Sequence, residues 1–239
     1  MELESGILLL ASIQLFMISS RSEVTDLDRL ADDLTGALSG LGVPEQRLAV
    51  ALDRLLAEGE PVSTERLGAA VGLEGDRASE LLRAWPNVFY DDPGHVVAFG
   101  GLALSKMPHR FLLDGRTLYT WCAWDALFVP IVLGRDAHVE SATPGTGEPV
   151  RLTVTPSGVR EAAPEGAVLS FVRPPKFDSD VIRNFCHHVH FFASREAGEG
   201  WASRREDAFF LSLEEGFELG RRWVESTFGE ALKQESRAL

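Results

Sequence analysis

The chain has 239 residues, 45% of them hydrophobic and 25% charged, with a formal net charge of −13. That length and balance suit a globular protein of one large or two small domains with a buried core, and the negative charge argues against a partner as anionic as nucleic acid. Two cysteines are too few for a disulfide framework, and in a reducing cytosol both stay thiols.

The acidity is uneven. Residues 1–103 carry 7 Lys/Arg against 17 Asp/Glu, and the remainder carries 16 against 19. Residues 7–18 form a mostly apolar run, shorter than the ~20 residues that span a bilayer. Glu2 and Glu4 precede it, with no Lys or Arg, so it lacks the positive flank of a secretory signal. We expect a cytoplasmic protein with no membrane span. Residues 1–25 read as an N-terminal extension, within which Met17 is a second plausible start.

Over 26–38, Leu27, Leu30, Ala31, Leu34 and Leu38 fall at helical spacing, and Gly40 and Gly42 break it. A second helix is predicted over 44–58, with Leu48, Leu52, Leu55 and Leu56, closed by Gly59. Ser63 or Thr64 can cap a third that ends at Gly72. A fourth, over 76–85, stops before Pro86. Residues 88–99, with Asp92-Pro-Gly94 at their centre, complete the outline of a winged helix-turn-helix over 26–103. Its would-be recognition helix offers only Arg77 and Arg83, beside Asp76 and Glu80, whereas a DNA-reading face is basic. A structural or docking role is expected, with no nucleic acid as partner.

Residues 104–239 mix strands and helices without a repeated βαβ unit, which predicts an α+β domain on a mixed or antiparallel sheet. A strand is expected over 110–113, followed by an Asp114-Gly115 turn. The segment 118–133 is apolar on nearly every side and reads as a buried helix, with Cys122 and Asp125 on neighbouring positions of one face. Residues 137–141 and 150–155 form a hairpin pattern, and 167–172 a strand. Pro174-Pro175 opens a loop. Residues 180–186 suggest a short helix or turn, and Val189 and Phe191 alternate with His188 and His190 as in a strand. A helical piece over 201–205, a strand over 209–213 and an amphipathic helix over 214–228 close the chain.

Chemistry concentrates at two places. Cys122 lies in Tyr119-Thr-Trp-Cys-Ala-Trp-Asp125, and Cys186 in Asn184-Phe-Cys-His-His-Val-His190. A C-x-x-D pair arises easily by chance, and two cysteines in apolar surroundings are often just buried packing. Cys122, Cys186, His188 and His190 are donors that zinc prefers, although neighbouring donors on one strand seldom close a tetrahedron. A cysteine hydrolase needs a His beside the thiolate and an orienting third group. Asp125 and His187 could supply parts of one, yet no nucleophile signature surrounds either cysteine. The roles of His187, His188 and His190 stay open.

The motifs agree in order with one family. Leu118-Tyr-Thr-Trp-Cys-Ala-Trp-Asp-Ala-Leu127, Pro130, Gly134-Arg135, the Gly147-x-Pro-Val-x-Leu-Thr-Val154 segment, Phe185-Cys-x-His-Val-His-Phe-Phe-Ala-Ser194 and Trp201-Ala-Ser203 resemble the organomercurial (alkylmercury) lyases. The resemblance runs from about Leu30 to Gly220, and Pro61-Val-Ser63 with its preceding helices is similar to that family's N-terminal helical domain. It implies a catalytic set of Cys122, Asp125 and Cys186, the same three residues holding mercury. Tyr119, Trp121, Trp124 and Phe185 would line the organic pocket. Some members carry a further cysteine directly after the last of the set, where this chain has His187. Others have one in the hairpin loop, where residues 141–147 have none. Those departures remove accessory thiols and leave the core set whole.

The implied reaction is R–Hg⁺ plus a proton giving R–H plus Hg²⁺, in mercury detoxification. No organic cofactor is implied. Hg(II) would remain as bound product until excess small thiol strips it, and would then pass to a mercuric reductase. The residue types suit that chemistry, because mercury is soft and prefers thiolate. A second thiolate makes the bound carbon more basic, and a carboxylic acid in an apolar pocket has the raised pKa needed to protonate it. Two other readings stay open: a non-catalytic soft-metal-binding protein of the same fold, and a winged-helix metal-responsive regulator.

Overall fold

The computed structural model describes residues 27–34, 41–173, 180–205 and 207–236. The N-terminal extension and the loop at Pro174-Pro175 lie outside the described residues, as does the end of the first expected helix, which is described as α1 over 27–34. Helix α2 (Val43–Leu56) carries Pro44 in its first turn, where a missing N–H costs nothing, and buries Leu48, Leu52 and Leu56. In α3 (Thr64–Val71) the cap is Ser63, whose hydroxyl accepts from the Arg66 N–H, and Gly72 ends the helix at φ 75°. Helix α4 (Gly75–Arg83) stops two residues short of the expected Trp85. Trp85 instead stacks on Phe99 at 5.5 Å, and Pro86 disfavours helical geometry just before it.

The wing is a hairpin of β1 (Phe89–Tyr90) and β2 (Val96–Phe99), which continues through Gly100-Gly101 into β3 (Leu102–Ala103). Beyond lie β4 (His109–Leu113), β5 (Arg116–Thr120), β6 (Ala137–Ala142), β7 (Pro149–Thr155) and β8 (Gly158–Ala163). All eight strands form one antiparallel sheet in the order β1-β2-β3-β5-β4-β6-β7-β8. The join between its two halves is β3 on β5, with Leu102 opposite Thr120 and Ala103 opposite Tyr119. A second antiparallel sheet places β9 (Val168–Val172) between β10 (Phe191–Phe192) and β11 (Ala208–Ser212). The architecture is α+β with antiparallel sheets, as expected.

The helix expected over 118–133 is divided. Leu118 to Thr120 belong to β5, and α5 runs over Ala123–Leu133 with Cys122 as its cap. A uniformly apolar stretch has no period to separate a buried strand from a buried helix. Helix α5 lies against α8 (Leu213–Ser236). Gly216 and Gly220 permit that approach, because a Cβ would lie 2.9 Å from Leu127 at the first and 2.8 Å from Phe128 at the second. Two further expectations shift, and one strand is new. Residues 188–191 are not a strand: α6 (Val181–Asn184) leads into a 3-10 turn at Cys186–His188, and only Phe191–Phe192 pair in the sheet. The helical piece is α7 (Arg195–Ala202), started by a Ser194 cap, rather than residues 201–205. Strand β8, with no buried residue, was not foreseen. No described helix is long and apolar enough to cross a membrane.

Candidate active site

Cys122 sits where β5 gives way to α5. Its backbone is extended (φ −142°, ψ 172°), and it closes the helix N-terminus reciprocally with Asp125. The Cys122 N–H donates to Asp125 Oδ2 at 2.7 Å, and the Asp125 N–H donates to the Cys122 sulfur. This is a capping box written with cysteine and aspartate in place of the usual Ser/Thr and Glu. The C-x-x-D spacing therefore marks a helix start, and the two side chains do not share a helix face in the expected sense. Thr120 Oγ1 donates to the Cys122 carbonyl at 3.0 Å, fixing the strand-to-helix bend.

Cys186 arrives from a distant segment. Its 3-10 turn is held by Ser170 of β9, whose hydroxyl donates to the His188 carbonyl (2.9 Å) and accepts from the His190 N–H (3.0 Å). The Ala123 N–H donates to the Val189 carbonyl at 3.1 Å, which ties the turn to the first residue of α5. The ligating atoms of Cys122, Asp125 and Cys186 lie within 4.8 Å of one another, and all three residues are buried. Both cysteines are free thiols.

Burial dominates the electrostatics. It lifts the Asp125 carboxyl to about 7, against hydrogen bonds from the Cys122 thiol and N–H that favour the charged form. Burial, the hydrogen bond to Cys186 and the charge of Asp125 together push the Cys122 thiol well up. At Cys186 the hydrogen bond with Cys122 pulls the thiol down, but burial and Asp125 outweigh it and the net shift is upward. At neutral pH both sulfurs are thus protonated, beside a carboxyl poised to take or give a proton.

Asp125 and Cys186 face a cavity of about 280 Å³ with mainly apolar walls, while Cys122 is fully buried and is not among the lining residues. Trp121, Trp124 and Phe185 line it, as the motifs suggested; Tyr119 does not. Strand alternation sets Tyr119 apart from its buried neighbours Leu118 and Thr120. The sequence reading missed the walls from other elements: Trp85 and Phe99 from the helical unit, Phe128 from α5, and Trp223 and Phe228 from α8. Trp124 is fixed among them by edge contacts to Phe128, Phe171, Phe185 and Trp223 and by its indole N–H, which donates to the Gly216 carbonyl at 3.0 Å. Gly101 was missed too. Its φ is +93°, and a Cβ there would fall 2.6 Å from the Asp125 carboxyl carbon. The only trace in the sequence is the Gly100-Gly101 doublet between two hydrophobic pairs.

The histidines do not join the site. Arg205 donates to the His188 ring at 2.9 Å, His190 Nε2 donates to the His187 carbonyl at 2.8 Å, and His187 is exposed. A zinc site of Cys122, Cys186, His188 and His190 is not formed. Among the described residues, Cys122, Asp125 and Cys186 are the one His/Cys/Asp/Glu group of three close enough to share an ion.

Known proteins share this plan. The family model described as alkylmercury lyase matches residues 102–225, and that described as the helix-turn-helix domain of alkylmercury lyase matches residues 26–100. Relatives named alkylmercury lyase include one from Streptomyces lividans, 41% identical over 200 residues, or 83% of this chain and 92% of that protein. One from Staphylococcus epidermidis is 42% identical over 168 residues, covering 70% and 77%. One from Pseudomonas putida is 40% identical over 186 residues, covering 77% and 87%. The crystal structure of the mercury-bound form of MerB2 matches in fold with a TM-score of 0.67, over 85% of this chain and 99% of that one, at 21% identity.

Proposed function

The chain belongs to the alkylmercury lyase family, and from that premise we propose that Cys122, Asp125 and Cys186 carry out the protonolysis of a carbon–mercury bond. The protein is an organomercurial lyase, an enzyme of mercury detoxification. The observation that carries the residue assignment is the meeting of two buried thiols with a carboxyl of pKa about 7, all within 4.8 Å.

The Cys122 thiol is too weakly acidic to ionise alone, so Asp125 accepts its proton as the sulfur bonds to R–Hg⁺. Coordination by Cys186 adds electron density to mercury and makes the attached carbon more basic. Asp125, now a carboxylic acid, protonates that carbon; R–H leaves, and Hg(II) stays between the two sulfurs. Two thiol protons are displaced per turnover, one ending on carbon and the other in solvent. Asp125 can serve both as base and as acid because its pKa lies near the working pH. Trp121, Trp124 and Phe185 hold the organic group in the cavity.

Two thiolates grip Hg(II) firmly, so excess small thiol strips the product, which passes to a cytoplasmic mercuric reductase. No organic cofactor takes part. Residues 104–239 form the catalytic unit. Residues 26–103 form a helical unit that supports the cavity through Trp85, Phe99 and Gly101 instead of reading DNA.

A headspace assay with methylmercury and excess thiol tests the function. Methane release with a matching yield of Hg(II) is expected. Retention of mercury without methane would favour the metal-binding reading.

A further inference from the structure

Asp53 is a buried acid that this mechanism leaves unused. It lies on α2, is 2% exposed, and its Oδ1 has no hydrogen-bond partner. Burial raises its pKa well above the usual carboxylate range; the charge of Asp125 adds to the rise and Arg54 opposes it. An apolar residue at this point of a leucine-rich helix would avoid the desolvation of a carboxyl.

The Gly100-Gly101 turn shows where that carboxyl goes. A Cβ on Gly100 would lie 2.7 Å from Asp53 Oδ1 and 2.9 Å from its Oδ2, while a Cβ on Gly101 would lie 2.6 Å from the Asp125 carboxyl carbon. Both glycines have positive φ, 58° and 93°. Consecutive residues of one two-residue turn thus lack side chains exactly where two carboxyls press in, one from the helical unit and one from the reacting triad. The turn is also anchored to the site, because the Trp121 N–H donates to the Gly101 carbonyl at 3.0 Å.

We propose that Asp53 is a positioning residue for the reaction: its flat carboxyl seats the Gly100-Gly101 turn, and through that turn it fixes the Asp125 carboxyl over the sulfurs. The proposal rests on the reading of Asp125 as the acid. It makes the helical unit a contributor to the geometry of proton delivery as well as a wall of the cavity.

The test compares Asp53→Asn, Asp53→Ala and Asp125→Asn in the full chain, by methane release, methylmercury capture and thermal melting. Asp53→Asn keeps the flat shape of the carboxyl and is expected to hold kcat within about threefold. Asp53→Ala unseats the turn, so kcat should fall about tenfold or more, the scale of a misplaced reacting group. KM and one-to-one capture should stay near wild type, because the sulfurs are untouched. Wild-type kcat in Asp53→Ala overturns the proposal. So does a joint loss of melting temperature and capture, which would mark a folding role, and so does an Asp53→Asn as slow as Asp53→Ala, which would make the proton rather than the fit decisive. If Asp125→Asn itself turns over normally, the acid assignment fails and this proposal falls with it; if Asp125→Asn is inactive and Asp53→Ala is fully active, only the proposal for Asp53 fails.

Discussion

The Cys122 N–H donates to Asp125 Oδ2 at 2.7 Å, so the thiol and the carboxyl that meet in the triad are also the two halves of one helix cap. Neither can move independently of the first turn of α5. Their separation is set by backbone geometry, which is stiffer than any contact between long side chains.

Asp125→Asn should separate capture from cleavage. The amide oxygen can still accept from the Cys122 N–H, so the cap persists, and soft sulfur binds mercury without a carboxylate. Equilibrium dialysis is expected to show about one organomercurial per chain, while headspace analysis of the same sample shows hydrocarbon release down about 10²-fold or more. Asp125→Ala should behave likewise and lose about 1 kcal/mol more stability with the cap.

The same substitution has a signature in stability against pH. Burial lifts the folded carboxyl from the usual carboxylate value of about 4 up to about 7. The unfolded chain therefore releases this proton first, and stability falls as pH rises from about 4 to about 7, levelling off above. The effect is on the order of 4 kcal/mol at most. In melts from pH 4 to 8 without mercury, Asp125→Asn should gain on wild type through that window and run parallel to it above.

Cys122→Ala and Cys186→Ala should each abolish turnover, because activation of the carbon needs both sulfurs. Near-wild-type hydrocarbon release from either variant would contradict the two-thiol mechanism. Both thiols are buried and raised, so in the mercury-free protein they should react with iodoacetamide more slowly than a free cysteine at pH 7.

Gly101→Ala should damage the site from outside the triad. Its Cβ would meet the Asp125 carboxyl at a φ that alanine avoids, a strain of about 1–3 kcal/mol. A lower melting temperature and at least about tenfold slower hydrocarbon release are expected. Gly94→Ala is the matched control: it shares a positive φ of 90° but has no heavy atom within 4 Å of the added methyl, so it should lose stability and keep its rate.

The sequence was most legible where local chemistry decides. Ser63 starts α3 through its hydroxyl and Gly72 ends it because it has no side chain to resist a positive φ, and Asp114-Gly115 turns β4 into β5. That Cys122, Asp125 and Cys186 come together was legible through motif order. Reading failed where tertiary context overrides pattern. Hydrophobicity does not mark the switch at Cys122 in the apolar run around Leu118 to Leu133, since strand and helix there are equally buried, and the capping box that does mark it is written with cysteine in place of Ser or Thr. The alternation from His188 to Phe191 looked like a strand, but Ser170 binds that backbone into a turn. Trp223 and Asp53 reach the site neighbourhood from distant elements, and no local spacing announces such long-range company.

Strand β3 lies on β5 through only two residue pairs, Leu102 with Thr120 and Ala103 with Tyr119, and a consequence follows for how the protein comes apart. A chain cut between its helical and catalytic halves would leave β5 with a bare edge of unpaired backbone groups, an invitation to aggregate. It would also strip Phe99, Gly100 and Gly101 from the cavity. The halves should accordingly melt in one transition and resist being produced separately. Exchange of one half between relatives should succeed only when the seam of β3 and β5 travels intact.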